Sequence, residues 1–448
     1  MFIGDDNKEV RNLIRQKVSD TFHLSASIYD KNFLSDLFCD VFLPGLVFFY
    51  SKSKFQSFKK YIKQCNFDKD FSNLSERVRN CLLYIEELDY KKLKTLQLKV
   101  MGDLHPNYST KVLSKTSVIY GKYPEYFDLL DRITKLFWKN NEDFFPSIKG
   151  LEEFSIRNFI DINKETESEE IIKDFYFNLG SLISFLFSIR AVDINAENMI
   201  VNLPNPVFYD METIFSGSFE EDYDVYGALN TGFVKINEKR DMSLLTGGIG
   251  ERESLLKPII TGTDKQPQIR WRTLSKGKYN NIPILNGSYV KAGDYINSLR
   301  RGGFDSFGKI NKQKEEIKDI VKNTRTITRV VLRPTRIYRH LMLQTVYPQV
   351  FLNEDIETYL RNKLEDLRVI YDIEDPESII NYEIAALKIF QIPTFYSDIQ
   401  SKDILSANGD VVARWGISQY EIWEKYFFES FNKDFIENQF QIIEDLIE

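Results

Sequence analysis

The sequence predicts an α+β protein of two lobes with large helical additions, and three observations carry that expectation. The chain has 448 residues, long for one compact core and fitting two lobes or a core with a large extension. Apolar residues recur at three- and four-residue spacing over long stretches toward both ends, the period of an amphipathic helix. Between those stretches lie short apolar runs bounded by turn residues, the mark of strands. With 43% hydrophobic and 28% charged residues, the composition is that of a folded globular chain.

Residues 1–100 are expected to be mostly helical, with periodic runs over Leu34–Tyr50 and Val78–Leu96. Their many Phe and Tyr side chains read as core packing. The apolar run Val41–Tyr50 is too short to span a bilayer, and the acidic start MFIGDDNKEV is not a signal peptide. A cytoplasmic protein without a membrane span is therefore expected. Cys39, Cys65 and Cys81 are scattered with no CxxC, which offers neither a disulfide framework nor a zinc site. A formal charge of −7 argues against a general nucleic-acid binder, which needs a basic surface.

Past residue 100, Asp103 and His105 would share one face of an extended segment. Such a pair can tune an acid or base, or can simply satisfy two structural groups. Two strand-like runs, Thr110–Leu113 and Ser117–Tyr120, precede Lys122, placed as a strand lysine that reaches nucleotide phosphates would be. Helices follow over Asp128–Lys139 and Glu169–Arg190. The second has a wide apolar face and delivers the chain into the stretch Ala191–Phe215.

That stretch holds Asp193, Asn198 five residues later, a hairpin over Met199–Asp210 turning at Asn202-Leu-Pro-Asn205, then Asp210 and Glu212. Phosphoryl transfer needs a carboxylate to orient the attacking hydroxyl and further oxygens to hold Mg²⁺ on the phosphates. Asp193, Asn198 and Asp210 have the order and spacing of a protein-kinase catalytic loop. An ordinary hairpin with polar rims is the alternative. Leu245–Arg272 reads as a flexible loop over a site; its Gly247, Gly248 and Gly250 lack the context of a phosphate-cradling loop. A charged helix is expected over Lys312–Lys322. Arg329, Arg333 and Thr335 are then expected on one face of an extended run, where two guanidinium groups and a hydroxyl would bind phosphate. A solvated basic face is the alternative there. Helices over Glu354–Tyr371, Glu377–Phe390 and from Tyr420 onward close the chain.

Five ordered blocks together resemble the dehydratase domain of class II lanthipeptide synthetases, the LanM type. Gly102-Asp-Leu-His105 is similar to its G-D-x-H block, and Val192-Asp-Ile-Asn-Ala-Glu-Asn198 to its D-x-H-x-E-N loop. Pro206–Thr213 resembles its P-x-x-x-D-x-E-T hairpin. Arg329–Thr335 with Tyr338 is similar to R-x-x-x-R-x-T-x-x-Y, and Glu383–Phe395 to E-x-x-x-L-x-x-x-D-I-P-x-F. The tail Asp434–Gln439 is like the close of the dehydratase region. Four features depart from the pattern: Asn195 replaces the loop His, Gln391 replaces the Asp before Ile-Pro, a Y-K-P motif reads Tyr120-Gly-Lys-Tyr-Pro124, and the glycine-rich stretch after Gly-Asp-x-His is shortened.

The resemblance implies a kinase-like core related to lipid kinases over 101–448, with a small lobe to about residue 150. It implies ATP-dependent phosphorylation of Ser or Thr in a precursor peptide, then phosphate elimination to dehydroalanine or dehydrobutyrine. Asp193 and Asn195 would work on the hydroxyl, Lys122 on the nucleotide, and Asn198, Asp210 and Glu212 on Mg²⁺. Asp103, His105, Arg329, Arg333 and Thr335 would serve elimination. The three cysteines all precede residue 100 and the histidines are His23, His105 and His340, so a cyclase zinc site is not expected. Ring closure would then fall to a separate cyclase, and an export transporter is a further candidate partner. A kinase without elimination, or a non-catalytic peptide-binding partner, would share much of this pattern.

Overall fold

The computed structural model describes residues 5–22, 31–87, 111–114, 117–120, 125–138, 144–145, 148–150, 155–158, 162–196, 198–208, 211–216, 227–235, 243–247, 251–278, 281–353, 355–366 and 373–447. Asp103, His105, Lys122 and Asp210 lie outside these residues. The architecture is mixed α+β, with small antiparallel sheets set among helices.

The N-terminal region is helical, as the periodicity predicts: α1 (Asp5–Thr21), α2 (Lys31–Ser51), α3 (Phe58–Gln64), α4 (Phe67–Asp70) and α5 (Ser72–Glu87). Phe38, Phe42, Phe58, Phe67 and Leu74 are buried in their shared core, together with all three cysteines, which are free thiols. Each such side chain contributes about 1.5–3 kcal/mol on burial. No described helix is long and apolar enough to cross a membrane.

β1 (Lys111–Ser114) and β2 (Ser117–Tyr120) form the expected pair, and α6 (Glu125–Thr134) follows, shorter than predicted. β3 (Ile148–Gly150) and β4 (Ser155–Asn158) complete an antiparallel sheet in the order β1-β2-β4-β3. β5 (Glu165–Thr166) leads to α7 (Glu169–Ser188), the central helix; every residue from Leu179 to Arg190 is buried. β6 (Met199–Asn202) and β7 (Asn205–Phe208) form the predicted hairpin, and the short α8 (Ala228–Thr231) follows.

The expected loop over Leu245–Arg272 is instead a long ribbon, β8 (Glu251–Gly262) paired with β9 (Pro267–Lys278). Pro258 and the many charged residues disguise a strand that has a free edge, where a missing N–H is tolerated. Ile260 and Ile269 pack into the N-terminal helical core, which burial of one sheet face explains. At the ribbon's tip the Asp264 carboxylate accepts the Lys59 amide at 2.9 Å, and its carbonyl accepts the Phe58 amide at 2.8 Å. A carboxylate there satisfies orphan donors of α3 and opposes its dipole.

β10 (Ile284–Leu285) and β11 (Ser288–Tyr289) join β5 in a small sheet. α9 (Ile296–Lys312) and α10 (Lys314–Asn323) precede β12 (Ile327–Val330). Then come α11 (Thr335–Gln344), α12 (Pro348–Asn353), α13 (Ile356–Asp366) and α14 (Pro376–Lys388). The chain does not continue in helices: β13 (Phe395–Asp398), β14 (Asp403–Ser406) and β15 (Val411–Arg414) extend β12 into a four-stranded antiparallel sheet. α15 (Gln419–Lys425), a π-helical turn at Tyr426–Ser430 and α16 (Lys433–Ile447) finish the described chain.

α7 and α9 touch backbone to backbone. A Cβ on Gly180 would lie 1.8 Å from the Leu299 carbonyl oxygen, and one on Gly302 would lie 1.9 Å from that of Phe177. Ser181 Oγ uses the approach to donate to the Gly302 carbonyl at 3.0 Å. Because the obstacle is backbone and not a flexible side chain, Gly180→Ala should destabilise by about 3 kcal/mol, at the upper end of overpacking costs. Gly308→Ala on the same face-sharing helix α9 meets nothing within 4 Å, and should stabilise by about 0.5–1 kcal/mol. Urea unfolding of both variants checks the contact; equal midpoints would show that the two helices do not meet there.

Candidate active site

α7 delivers the chain into the Asp193 loop, and the end of α7 is held from outside. Trp423 Nε1 donates to the Ser188 carbonyl at 2.8 Å and the Tyr426 hydroxyl to the Phe187 carbonyl at 3.1 Å. Such side chains serve carbonyls at a helix end; that of Phe187 also accepts the Arg190 amide at 3.0 Å. The backbone then passes through left-handed conformations at Arg190 (φ 50°) and Asp193 (φ 56°). A non-glycine residue at positive φ is costly and persists only where its surroundings fix it.

The fixing groups flank Asp193 on both sides. Val192 donates its amide to the Thr213 carbonyl at 3.0 Å, and the Thr213 hydroxyl donates back to the Val192 carbonyl. Ile194 donates to the Thr231 carbonyl on α8 at 2.7 Å. α8 is itself anchored by Gln439 of α16, whose Oε1 accepts the Ala228 amide at 2.8 Å. Asn198 closes the loop: its amide reaches the Asn195 carbonyl at 3.0 Å, and its Nδ2 the Asp193 carbonyl at 3.0 Å. Buried Asn281 fixes the entry to β6, with Nδ2 donating to the Ala196 and Met199 carbonyls and Oδ1 accepting the Val201 amide.

The Asp193 carboxylate opens to solvent on one side and is hemmed in by protein on the others. That crowding pushes its pKa above the ordinary carboxyl value; the positive charge of Arg329 opposes the rise, the negative charge of Glu212 adds to it, and the Asn195 amide opposes it. Asn195 Nδ2 lies 3.5 Å from Asp193 Oδ1. Arg329 Nη1 forms an ion pair with Glu212 Oε1, and the Arg329 amide donates to the Glu212 carbonyl at 2.7 Å. One residue of β12 is thus joined to the segment after the β6–β7 hairpin through both side chain and main chain. Among the described residues no three His, Cys, Asp or Glu side chains gather as a metal-holding group. Asp193, Asn198 (whose Nδ2 is engaged) and Glu212 are among the described residues that carry a side-chain oxygen here.

Arg329, Arg333 and Thr335 do not share a strand face, contrary to the pattern expectation. β12 ends at Val330, and the next four residues make an elbow into α11, so Thr335 stands exposed in the first helical turn. Pro334 forces this break: its ring fixes φ and its missing N–H suits a helix start. Among the described residues no side chain caps α11; the Ile337 amide donates to the Pro334 carbonyl at 2.8 Å, which leaves the Thr335 and Arg336 amides to face an anion. Arg333 turns inward and is buried. Its Nε meets Glu383 Oε1 at 2.7 Å, and the Tyr338 hydroxyl donates to the same oxygen at 2.6 Å. Burial foremost, then the Glu383 charge, raises the Tyr338 pKa well above its ordinary value, while Arg333 and Arg329 pull it down.

The structure therefore brings Asp193, Asn195, Asn198, Glu212 and Arg329 together, with Thr335 and Arg333 on the adjoining elbow. Sequence spacing did not single out Asn281 or Thr231, because they act through contacts between distant parts of the chain. Thr213, Glu383 and Gln439 stand in recognised stretches, but nothing in those stretches says what they touch.

The model of a domain of unknown function, DUF4135, matches residues 125–398. The chain is also 24% identical over 403 residues to the lacticin 481/lactococcin biosynthesis protein LcnDR2 of Lactococcus lactis subsp. lactis. That similarity takes in 81% of this chain and 41% of LcnDR2, so the chain spans less than half the length of that relative.

The charges around Asp193 set the sign of two shifts. Glu212→Gln removes a negative neighbour and should move the Asp193 titration to lower pH; Arg329→Met removes a positive one and should move it to higher pH. Because the folded-state pKa is raised, ionisation of Asp193 withdraws stability as pH climbs through that value. A ¹³C carboxyl titration, assigned by loss of the signal in Asp193→Asn, reads both shifts. Movement in the same direction would mean the three groups do not meet as described.

Proposed function

Because the chain belongs to the DUF4135 family and is LanM-like, as its motif blocks imply, we propose that it dehydrates Ser or Thr in a ribosomally made precursor peptide during lanthipeptide biosynthesis. The dehydration proceeds by phosphorylation from ATP and then elimination of phosphate. The observation that supports this reading best is the Asp193 loop: a strained carboxylate of raised pKa, five residues before Asn198, beside an Arg329–Glu212 pair.

In the first half, Asp193 orients the substrate hydroxyl and accepts its proton as the oxygen bonds to the γ-phosphorus and ADP leaves. A pKa above the ordinary carboxyl value suits that role, since a proton acceptor works best near the operating pH. Mg²⁺ would neutralise phosphate charge when bound, and Asn198, Asp210 and Glu212 supply the hard oxygen donors it prefers. The kinase-like fold belongs to this proposal, as does a nucleotide contact from Lys122. In the second half, a base takes the Cα proton, the Cβ–O bond breaks, and inorganic phosphate departs with the electron pair. The Arg329 guanidinium, the Thr335 hydroxyl and the first N–H groups of α11 are suited to receive that anion. Asp103 and His105 are the residues proposed to take the proton, on the strength of their motif.

Mass spectrometry of a precursor peptide incubated with the protein, ATP and Mg²⁺ tests the proposal. The expected product has lost one water per modified residue. Asp193→Ala should slow phosphorylation by about 10²–10⁴-fold and leave unmodified peptide. Arg329→Ala should slow elimination by about 10²–10³-fold, so that phosphopeptide accumulates. Phosphopeptide as the end product of the wild-type protein would leave a kinase alone. An unaltered peptide that still binds would favour a non-catalytic partner.

A further inference from the structure

Glu383 is a carboxylate with no exposed surface, carried by α14 and pointed at the elbow between β12 and α11. Its Oε1 holds two groups at once, Arg333 Nε at 2.7 Å and the Tyr338 hydroxyl at 2.6 Å. Among the described residues its Oε2 has no hydrogen-bond partner. A fully buried carboxylate with one idle oxygen is an expensive way to hold two elements together, because apolar residues of similar volume do so as well or better. What a charge adds is directional control. The two groups it grips bracket Thr335 in the chain, one on the elbow and one in the second turn of α11. A grip on both fixes the rotation of α11 about its axis and the path of the chain back to Arg329. The same cluster is within electrostatic reach of Arg329, whose charge acts on Tyr338.

We propose that Glu383 is a positioning residue for phosphate elimination: by holding Arg333 and Tyr338 it fixes the elbow that presents Arg329, Thr335 and the α11 N-terminus to the departing phosphate. This rests on the dehydratase reading above. Glu383 does not touch the peptide, and Arg333 acts through Glu383 rather than on the reacting atoms. The phosphorylation half, built on the Asp193 loop, does not depend on this grip.

The test is Glu383→Gln, which keeps an acceptor and removes the charge, assayed separately for phosphorylation and for elimination from a chemically phosphorylated peptide. Phosphorylation should stay within about threefold of wild type. The kcat of elimination should fall by about 10²-fold with KM little changed, the scale of a misplacement of about 1 Å. Loss of both activities in equal proportion would overturn the proposal in favour of a merely structural role, and so would elimination at the wild-type rate. If Glu383→Gln does not fold, Tyr338→Phe removes one arm of the grip and leaves the buried ion pair intact; its elimination kcat should then fall while phosphorylation holds. A second readout separates this proposal from the dehydratase reading. Should the wild-type protein leave phosphopeptide untouched, the thermal shift given by inorganic phosphate decides the matter. A shift in wild type that disappears in either variant supports the positioning role, and equal shifts, or none in wild type, overturn it.

Discussion

The pairing of Arg329 with Glu212 joins the two halves of the site. It is made twice over, guanidinium to carboxylate and amide to carbonyl. The main-chain bond sets the distance between β12 and the segment after the hairpin, and the side-chain pair sets the orientation. Charge follows from the same contact. Arg329 and Glu212 act on Asp193 with opposite sign, so the Asp193 carboxyl feels a balance rather than a single neighbour. If β12 shifted, the field at Asp193 and the position of the α11 N-terminus would change together.

The strain at Asp193 explains why so much of the chain converges behind it. A positive φ needs clamps on both flanking residues, and here they come from Thr213 and from α8. Each clamp has its own support. Gln439 on α16 holds α8, and Trp423 with Tyr426 holds the end of α7. Gly232 contributes by lacking a side chain: a Cβ there would stand 2.7 Å from the Ile194 carbonyl oxygen, and its φ of 94° favours glycine in any case. The C-terminal helices thus support the geometry of the loop.

Among the described residues, the N-terminal helices are joined to the rest chiefly at the β8–β9 ribbon and at the helices from α11 to α14. The β8–β9 ribbon inserts Ile260 and Ile269 into their core and caps α3 with Asp264. Arg77 of α5 donates to the Leu387 and Lys388 carbonyls at the end of α14 and stacks on Phe390. A buried guanidinium at a helix C-terminus is stabilised by the carbonyls and by the negative end of the helix dipole. α14 carries Glu383 in its interior, so the helical region and the elbow bear on the same element.

Helices α2 and α7, the β1–β2 pair and the β6–β7 hairpin were legible because their patterns are local: an apolar face every three to four residues, or a turn between apolar runs. The order Asp193, Asn198, Glu212, Arg329, Thr335 was legible for the same reason, as spacing along the chain. The β8–β9 ribbon was hidden because its burial partner lies two hundred residues away in sequence, where periodicity carries no trace of it. The β13–β15 strands were hidden likewise, since short strands among helices give little period to read. Sequence by itself determined which groups are present and in what order, because covalent spacing and side-chain chemistry are fixed along the chain. Only the tertiary structure decided that Arg329 faces Glu212 and Asp193 while Arg333 turns inward to Glu383. Which way a guanidinium turns depends on the buried carboxylate that meets it, and that partner is supplied by packing.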